Sequence, residues 1–415
     1  MPSDSRTAPQ INGARLWERL MALGSIGATG RGGVNRQALT EGDAAAWRQI
    51  IKWSVQHGLR AERDDAGNFF LTLPGADPAL PPVLTGSHLD TQPTGGMFDG
   101  AFGVLAGLEA ACAIADARLR PARSLTVVAW MNEEGGRFAP GMMGSAVFAG
   151  ARRLAEIRAV TDADGISVGE ALDRRQSAVP LPARPIGFPI AAYIEAHIEQ
   201  DTVLEKAGLP IGIVTGIQGK TTWRIDLRGA EGHAGTAEMA GRRDAVAAMA
   251  LIVAALYGEV AAADPAVKFT VGRVVVAPNA PSVVAGQASF SIDLRHPDNA
   301  VRERLAAKVE MLCRMLAAPC AVEVVRLLDW PTTLFDAKLQ DWIAEAAQAA
   351  GHGAMRLISA AGHDARFMAP LAPTGMIFIP CRNGVSHAET EWAAPAHVAA
   401  GAEVLLASVL PLLAP

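Results

Sequence analysis

Residues 83–107 read VLTGSHLDTQPTGGMFDGAFGVLAG. The apolar, β-branched start predicts a strand from Val83 to Gly86 that runs out at His88. A glycine-rich loop follows and delivers Asp99 to the start of a helix from Gly103 to Leu119. A strand, a polar turn at its end and a helix folded back over it form the repeating unit of an α/β sheet. The same alternation extends in both directions. Helices are predicted over Leu16–Leu23 and Ala44–His57, and strands over Phe69–Leu73, Leu125–Trp130 and Ala191–His197.

The pattern changes near residue 212. Two strand-like runs, GIVTGI and KTTWRIDLRG, lie close together in Gly212–Gly229. Helices over Ala245–Tyr257 and Val301–Leu316 then interleave with strands over Phe269–Val276, Ala288–Leu294 and Ala321–Leu328. This predicts a small α+β sandwich of about 120 residues, within the usual size of a domain. From Thr332 the α/β pattern returns, with helix Leu339–Ala350, strand Met376–Ile379 and helix Pro395–Leu410. The expected architecture is a larger α/β catalytic domain with a mostly parallel central sheet (residues 1–212 and 332–415). It is interrupted by an inserted α+β lid or dimerisation domain (residues 213–331).

Composition narrows the function. At 415 residues the chain is long enough for two or three domains at about 150 residues each. A net charge of -5 and the lack of a dense Lys/Arg run argue against nucleic acid and anionic membranes. The four cysteines, Cys112, Cys313, Cys320 and Cys381, include no CxxC pair, which suits a reducing cytoplasm. The opening residues MPSDSRTAPQINGARLWERL lack the basic and apolar regions of a secretory leader. Ala245–Tyr257 reads as the longest apolar run. It is too short for a membrane span of about 20 residues.

Polar residues collect where predicted strands end. His88 and Asp99 flank the glycine-rich loop, and histidine with aspartate suits a zinc-like ion. Asp90, two positions after His88, is placed to orient the imidazole. Trp130-Met-Asn-Glu-Glu-Gly-Gly136 runs an apolar strand into two adjacent carboxylates pointing different ways, one for metal and one for water. Tyr193-Ile-Glu-Ala-His-Ile-Glu-Gln200 ends in His197, and Gly384-Val-Ser-His-Ala-Glu389 supplies His387. Singly, each is a turn or a solvated face. Together, at the ends of apolar strands, they cost burial energy unless paired.

These segments, with GHAGTAEMAGRRDA, PNAPSVV, SIDLRHPD and AGHDA, run in one order from about residue 86 to 389. The sequence resembles the dizinc peptidase-like amidohydrolases, in the branch of N-carbamoyl-L-amino acid hydrolases, β-ureidopropionases and allantoate amidohydrolases. The resemblance implies two divalent ions per subunit, zinc by default, with manganese, cobalt or nickel as other occupants. His88 and His197 would hold one ion and Glu134 and His387 the other, with Asp99 bridging. Ala196 stands where the common motif has leucine. Glu133 would be the general base. His233, in GHAGT, would stabilise the oxyanion from the partner subunit of a homodimer. Arg295 would grip the substrate carboxylate, helped by Asn279 and Gln200. His363, in AGHDA, joins the substrate-binding set as a pocket-lining or structural residue.

The activity this implies is hydrolysis of an N-carbamoyl-L-amino acid to the amino acid, carbon dioxide and ammonia. Allantoate amidohydrolase and β-ureidopropionase are the alternatives, because their motifs are shared. A non-catalytic metal-binding scaffold would need Glu133 or a ligand to be missing, and all are present. A serine hydrolase would need a G-x-S-x-G elbow.

Overall fold

The computed structural model describes residues 8–414; residues 1–7, part of the stretch read for a leader, and residue 415 lie outside it. The chain divides into two compact units, residues 1–215 with 334–415 and residues 216–333.

The first unit is built on a nine-stranded sheet. At its centre four strands run parallel in the order Leu125–Trp130, Val83–His88, Ala192–Ile198 and Thr374–Ile379. Every residue of these four is buried. Burial on both faces explains their near-continuous apolar composition. Antiparallel strands flank them: Phe69–Leu73 and Arg60–Arg63 on one side, Ile211–Ile217 on the other. The last of these moves the boundary between units to 215/216, later than the expected 212/213. Its Gly212, Ile213 and Val214 pair with Phe378, Ile377 and Met376, so the first half of GIVTGI belongs to the large sheet rather than to the insertion.

Helices Gly13–Gly24, Ala101–Asp116, Ala337–Ala349 and Pro395–Val409 contribute to the main core. The stretch Pro395–Leu413, 19 residues with a mean hydropathy of 1.7, is long and apolar enough to cross a membrane. This corrects the reading of Ala245–Tyr257 as the longest apolar run. Val398, Ala402, Leu405 and Val409 are buried in the core, the setting that selects an all-round apolar helix. Among the elements that escaped the sequence reading are strand Arg60–Arg63, helix Val168–Ala178 and strand Ala354–Ser359.

The second unit has a four-stranded antiparallel sheet in the order Ala321–Trp330, Gly219–Arg228, Gln287–His296, Lys268–Ala277. Along the two central strands buried residues alternate with more exposed ones. The buried face (Trp223, Ile225, Leu227, Phe290, Ile292, Leu294) packs with helices Ala245–Leu256 and Asn299–Leu316 into a separate core.

Candidate metal centre and active site

Four parallel strands lead at their carboxyl ends to one cluster of side chains. This is where open α/β sheets place ligands. Val83–His88 ends in His88, and Ala192–Ile198 carries His197. Leu125–Trp130 is followed by a turn to Glu133 and Glu134, and Thr374–Ile379 precedes the loop with His387. Asp99 lies at the centre of the cluster. Its Oδ1 is 3.4 Å from His88 Nε2 and 3.2 Å from His197 Nε2, while its Oδ2 is 3.4 Å from His387 Nε2. Glu134 Oε2 is 3.1 Å from the same His387 nitrogen. The five residues form two groups, His88–Asp99–His197 and Asp99–Glu134–His387, that share Asp99.

The donor set fits two metal ions. The Nδ1 atoms of His88 and His197 each face a backbone carbonyl oxygen, of Asp90 and Ile198, at 2.9 Å. With Nδ1–H donating there, both Nε2 lone pairs turn toward Asp99. Charge-assisted N–H···O bonds run at about 2.7–2.9 Å. The nitrogen–oxygen separations here are mostly longer, close to the roughly 3.3 Å between two ligands of one tetrahedral ion at about 2.0–2.1 Å. Glycine at position 100 makes room for the arrangement. Its φ is +64°, and a Cβ there would fall 2.4 Å from the His88 ring.

Charge in the cluster is tightly balanced. Burial raises the cost of the Asp99 carboxylate, but His197, His387 and His88 outweigh it and hold its pKa well below the usual range. Burial likewise opposes the His88 imidazolium, and Glu133, Asp99 and Asp90 together hold its pKa well above the ordinary value. Asp99 and Glu134 push His387 up to about 10. Burial drives the Glu133 carboxyl well up; His88 opposes this, and Asp364, Glu134 and Asp90 add to it. Glu133 Oε2 is 3.6 Å from His88 Nε2, so the adjacent glutamates do face different partners.

Asp90 acts differently from the sequence reading. It meets the His88 ring through its backbone oxygen, and its carboxylate is 3.8 Å away. That carboxylate instead accepts the backbone N–H groups of Glu133 and Glu134, both at 3.1 Å. One side chain thereby fixes the turn presenting both glutamates. Gln92 Nε2 donates to Glu134 Oε2 at 2.9 Å.

The expected substrate-binding residues are distributed between the units. Gln200 Nε2 donates to Asp99 Oδ2 at 2.8 Å and to Ser386 Oγ at 3.1 Å, so its amide is tied to the metal cluster. His363 is buried behind His197, with ring centroids 4.5 Å apart, and its Nε2 meets Ser359 Oγ at 3.0 Å. Burial, with His197 adding to it, pushes its pKa well down. His233, Asn279 and Arg295 lie in the second unit. His233 is exposed, and its Nδ1 accepts N–H bonds from Gly235 and Thr236. Asn279 has φ +56° directly after a cis Ala277–Pro278 bond. Arg295 Nε donates to Asp293 Oδ1 at 2.9 Å, and Lys220 Nζ approaches Asp293 Oδ2 at 3.0 Å.

A buried acidic layer behind the histidines went unread in the sequence. Glu195 accepts from Ser87 Oγ (2.7 Å), Tyr193 OH (3.0 Å) and the Ala365 N–H (3.1 Å). Asp364 bonds to Ser145. Glu195 sits two residues before His197 on one strand, and that period-2 relation was the available signal. Asp364 had none beyond its neighbour His363.

The family model described as Peptidase family M20/M25/M40 matches residues 84–410. An N-carbamoyl-L-amino-acid amidohydrolase of Rhizobium meliloti is 41% identical over 414 residues, covering 99% of this chain and 98% of that protein. An allantoate amidohydrolase of Bacillus subtilis is 31% identical over 388 residues, covering 92% and 93%. Among solved structures, an amidase of the hydantoinase/carbamoylase family from Burkholderia multivorans superposes with a TM-score of 0.88. It is 38% identical and covers 99% of this chain and all of that one. A matched segment that contains all five candidate ligands and Glu133, on a fold shared over the full length, makes this chain a hydrolytic member of Peptidase family M20/M25/M40.

Proposed function

We propose that the chain hydrolyses the carbamoyl C–N bond of N-carbamoyl-L-amino acids. The observation that carries the chemistry is Asp99, whose two oxygens face separate histidine sets while Glu133 stands beside them. The full-length likeness to the Rhizobium meliloti protein supports an N-carbamoyl-L-amino acid as the substrate.

His88, His197 and Asp99 would hold one divalent ion, and Asp99, Glu134 and His387 the other. Zinc is the expected occupant, with manganese, cobalt or nickel as alternatives. When bound, the ions polarise the ureido carbonyl and make water nucleophilic at neutral pH. Glu133 takes the proton of the attacking water and returns it to the amino-acid nitrogen as the C–N bond breaks. The free amino acid leaves, and the carbamate breaks down to carbon dioxide and ammonia. Gln200 and His363 touch cluster residues, which gives both a part in holding that cluster. Arg295 and Asn279 recognise the carboxylate, with Asp293 orienting the guanidinium. His233 donates to the oxyanion from the partner subunit. Exposed Leu251 and Tyr257, and exposed Val274 and Val275 on the edge strand Lys268–Ala277, support association of the second unit into a homodimer. Four unpaired cysteines fit the cytoplasm.

The test is ammonia release by metal-reconstituted protein from N-carbamoyl-L-methionine, N-carbamoyl-β-alanine and allantoate, each with and without chelator. Chelator-sensitive release that is fastest from the first is expected. Faster release from allantoate would transfer the assignment to the chemistry named for the Bacillus subtilis relative. Chelator-insensitive release would overturn the metal reading.

A further inference from the structure

Asp99 can serve two ions only if its carboxylate is held with each oxygen facing a different histidine set. It sits on a loop, so something must fix it. The backbone N–H groups of Phe98 and Asp99 both donate to one oxygen of Glu391, at 2.8 and 3.0 Å. The other oxygen of Glu391 lies 3.2 Å from Ser386 Oγ, and Ser386 Oγ donates to Asp99 Oδ2 at 2.6 Å. Glu391 is 2% exposed. It therefore clamps Asp99 from the main chain, with its second oxygen beside the serine whose hydroxyl donates to the Asp99 side chain.

The loop is shaped around this clamp. A Cβ at Gly96 would fall 2.1 Å from Glu391 Cδ and Oε1, so only glycine lets the carboxylate reach the Phe98 and Asp99 amides. Phe98, one of the clamped residues, and Trp392, next to Glu391, pack edge to face with centroids 5.5 Å apart, and Trp17 packs against both. Glu391 also lies four residues beyond His387, on the segment that supplies that ligand.

We infer that Glu391 is the positioning residue of the Asp99–Glu134–His387 ion, joining the bridging-carboxylate loop to the segment that carries His387. The inference rests on the dinuclear reading above and adds a consequence specific to one of the two ions. Removal of Glu391 frees Asp99 and His387 to move relative to one another. The His88–His197 pair stands on two buried strands and keeps its geometry. Loss of an outer-shell partner typically weakens metal binding about 10–100-fold, and that weakening should fall mainly on the Asp99–Glu134–His387 ion, which loses the placing of two ligands rather than one.

The experiment is competitive chelator titration of the full chain, with bound zinc counted per subunit and thermal unfolding of the metal-free protein followed in parallel. For Glu391→Ala the expectation is the Asp99–Glu134–His387 ion weakened about 10–100-fold and the His88–His197 ion, which shares only Asp99 with it, weakened clearly less. Activity should be recovered at excess zinc, with KM unchanged. Glu391→Gln, which keeps an oxygen for both amides, should hold both ions within a few-fold. Should the alanine variant fail to fold, Glu391→Asp, one methylene too short to span both contacts, should show the same selective loss. Two ions held as tightly as in the unaltered chain, or both weakened alike, would overturn the inference. Fewer than two ions in the unaltered chain would remove the dinuclear reading itself, which distinguishes the two failures.

Discussion

Glu133 and Glu134 are adjacent in sequence and separate in function. The Asp90 carboxylate holds both their amides, so the turn presents one side chain to His88 and the other to His387. Glu133→Gln keeps the shape and removes the base. It should lower kcat about 100-fold or more, the range of general-base catalysis, while bound metal stays at two per subunit. Metal analysis alongside steady-state kinetics checks this, and retained turnover would take the role from Glu133. His88, Glu134 and His197 were legible because each lies at or just beyond an apolar strand, whereas Asp99 and His387, on loops, were legible through the motifs around them. Glu391 was not, because its partners are backbone amides nearly 300 positions away, and no local pattern reports those.

Elements with their own apolar periodicity were the legible ones. The four parallel strands are short β-branched runs, and helix Ala101–Asp116 is apolar almost throughout. Helix Val168–Ala178 was missed because its sequence, VGEALDRRQSA, is mostly polar, and tertiary contacts hold it. Its Arg175 lies over the Trp47 ring at 3.6 Å. It bonds to Asp43 at 2.6 Å and to the Gly67 oxygen at 2.7 Å, and both charged side chains are buried. This pair joins the helix to Glu41–Val55. Asp43→Ala would strand a buried guanidinium, at a cost of about 3–5 kcal/mol. Chemical denaturation should show that loss, and adding Arg175→Met should recover part of it. An Asp43→Ala variant as stable as the unaltered protein would show that the pair does not anchor the helix.

For the whole molecule, the return of the α/β pattern after residue 332 revealed an insertion, but its edge was misplaced by a few residues. The reason is physical. GIVTGI is apolar enough for either sheet, and only pairing with Thr374–Ile379 decides its membership. The assignment of His233 to the partner subunit is also a statement about the assembly. His233→Ala and Glu133→Gln homodimers should each be nearly inactive, whereas each mixed dimer should regain one complete site of its two, about half the activity of a normal dimer, through complementation. Activity of verified heterodimers, purified with two different tags, checks it. No recovery would place His233 in its own subunit's chemistry or in none.

The same pairing has a consequence for synthesis. Thr374–Ile379 lies between Ala192–Ile198 and Ile211–Ile217 in the sheet, yet it leaves the ribosome only after residues 218–373 have been made. Until then two strand edges face an empty slot, and such edges invite pairing with other chains. The nascent first unit must wait, open at its centre, while the inserted unit can complete its own sheet and core. His387 follows the missing strand, so the gap in the sheet and the gap in the ligand set close almost together.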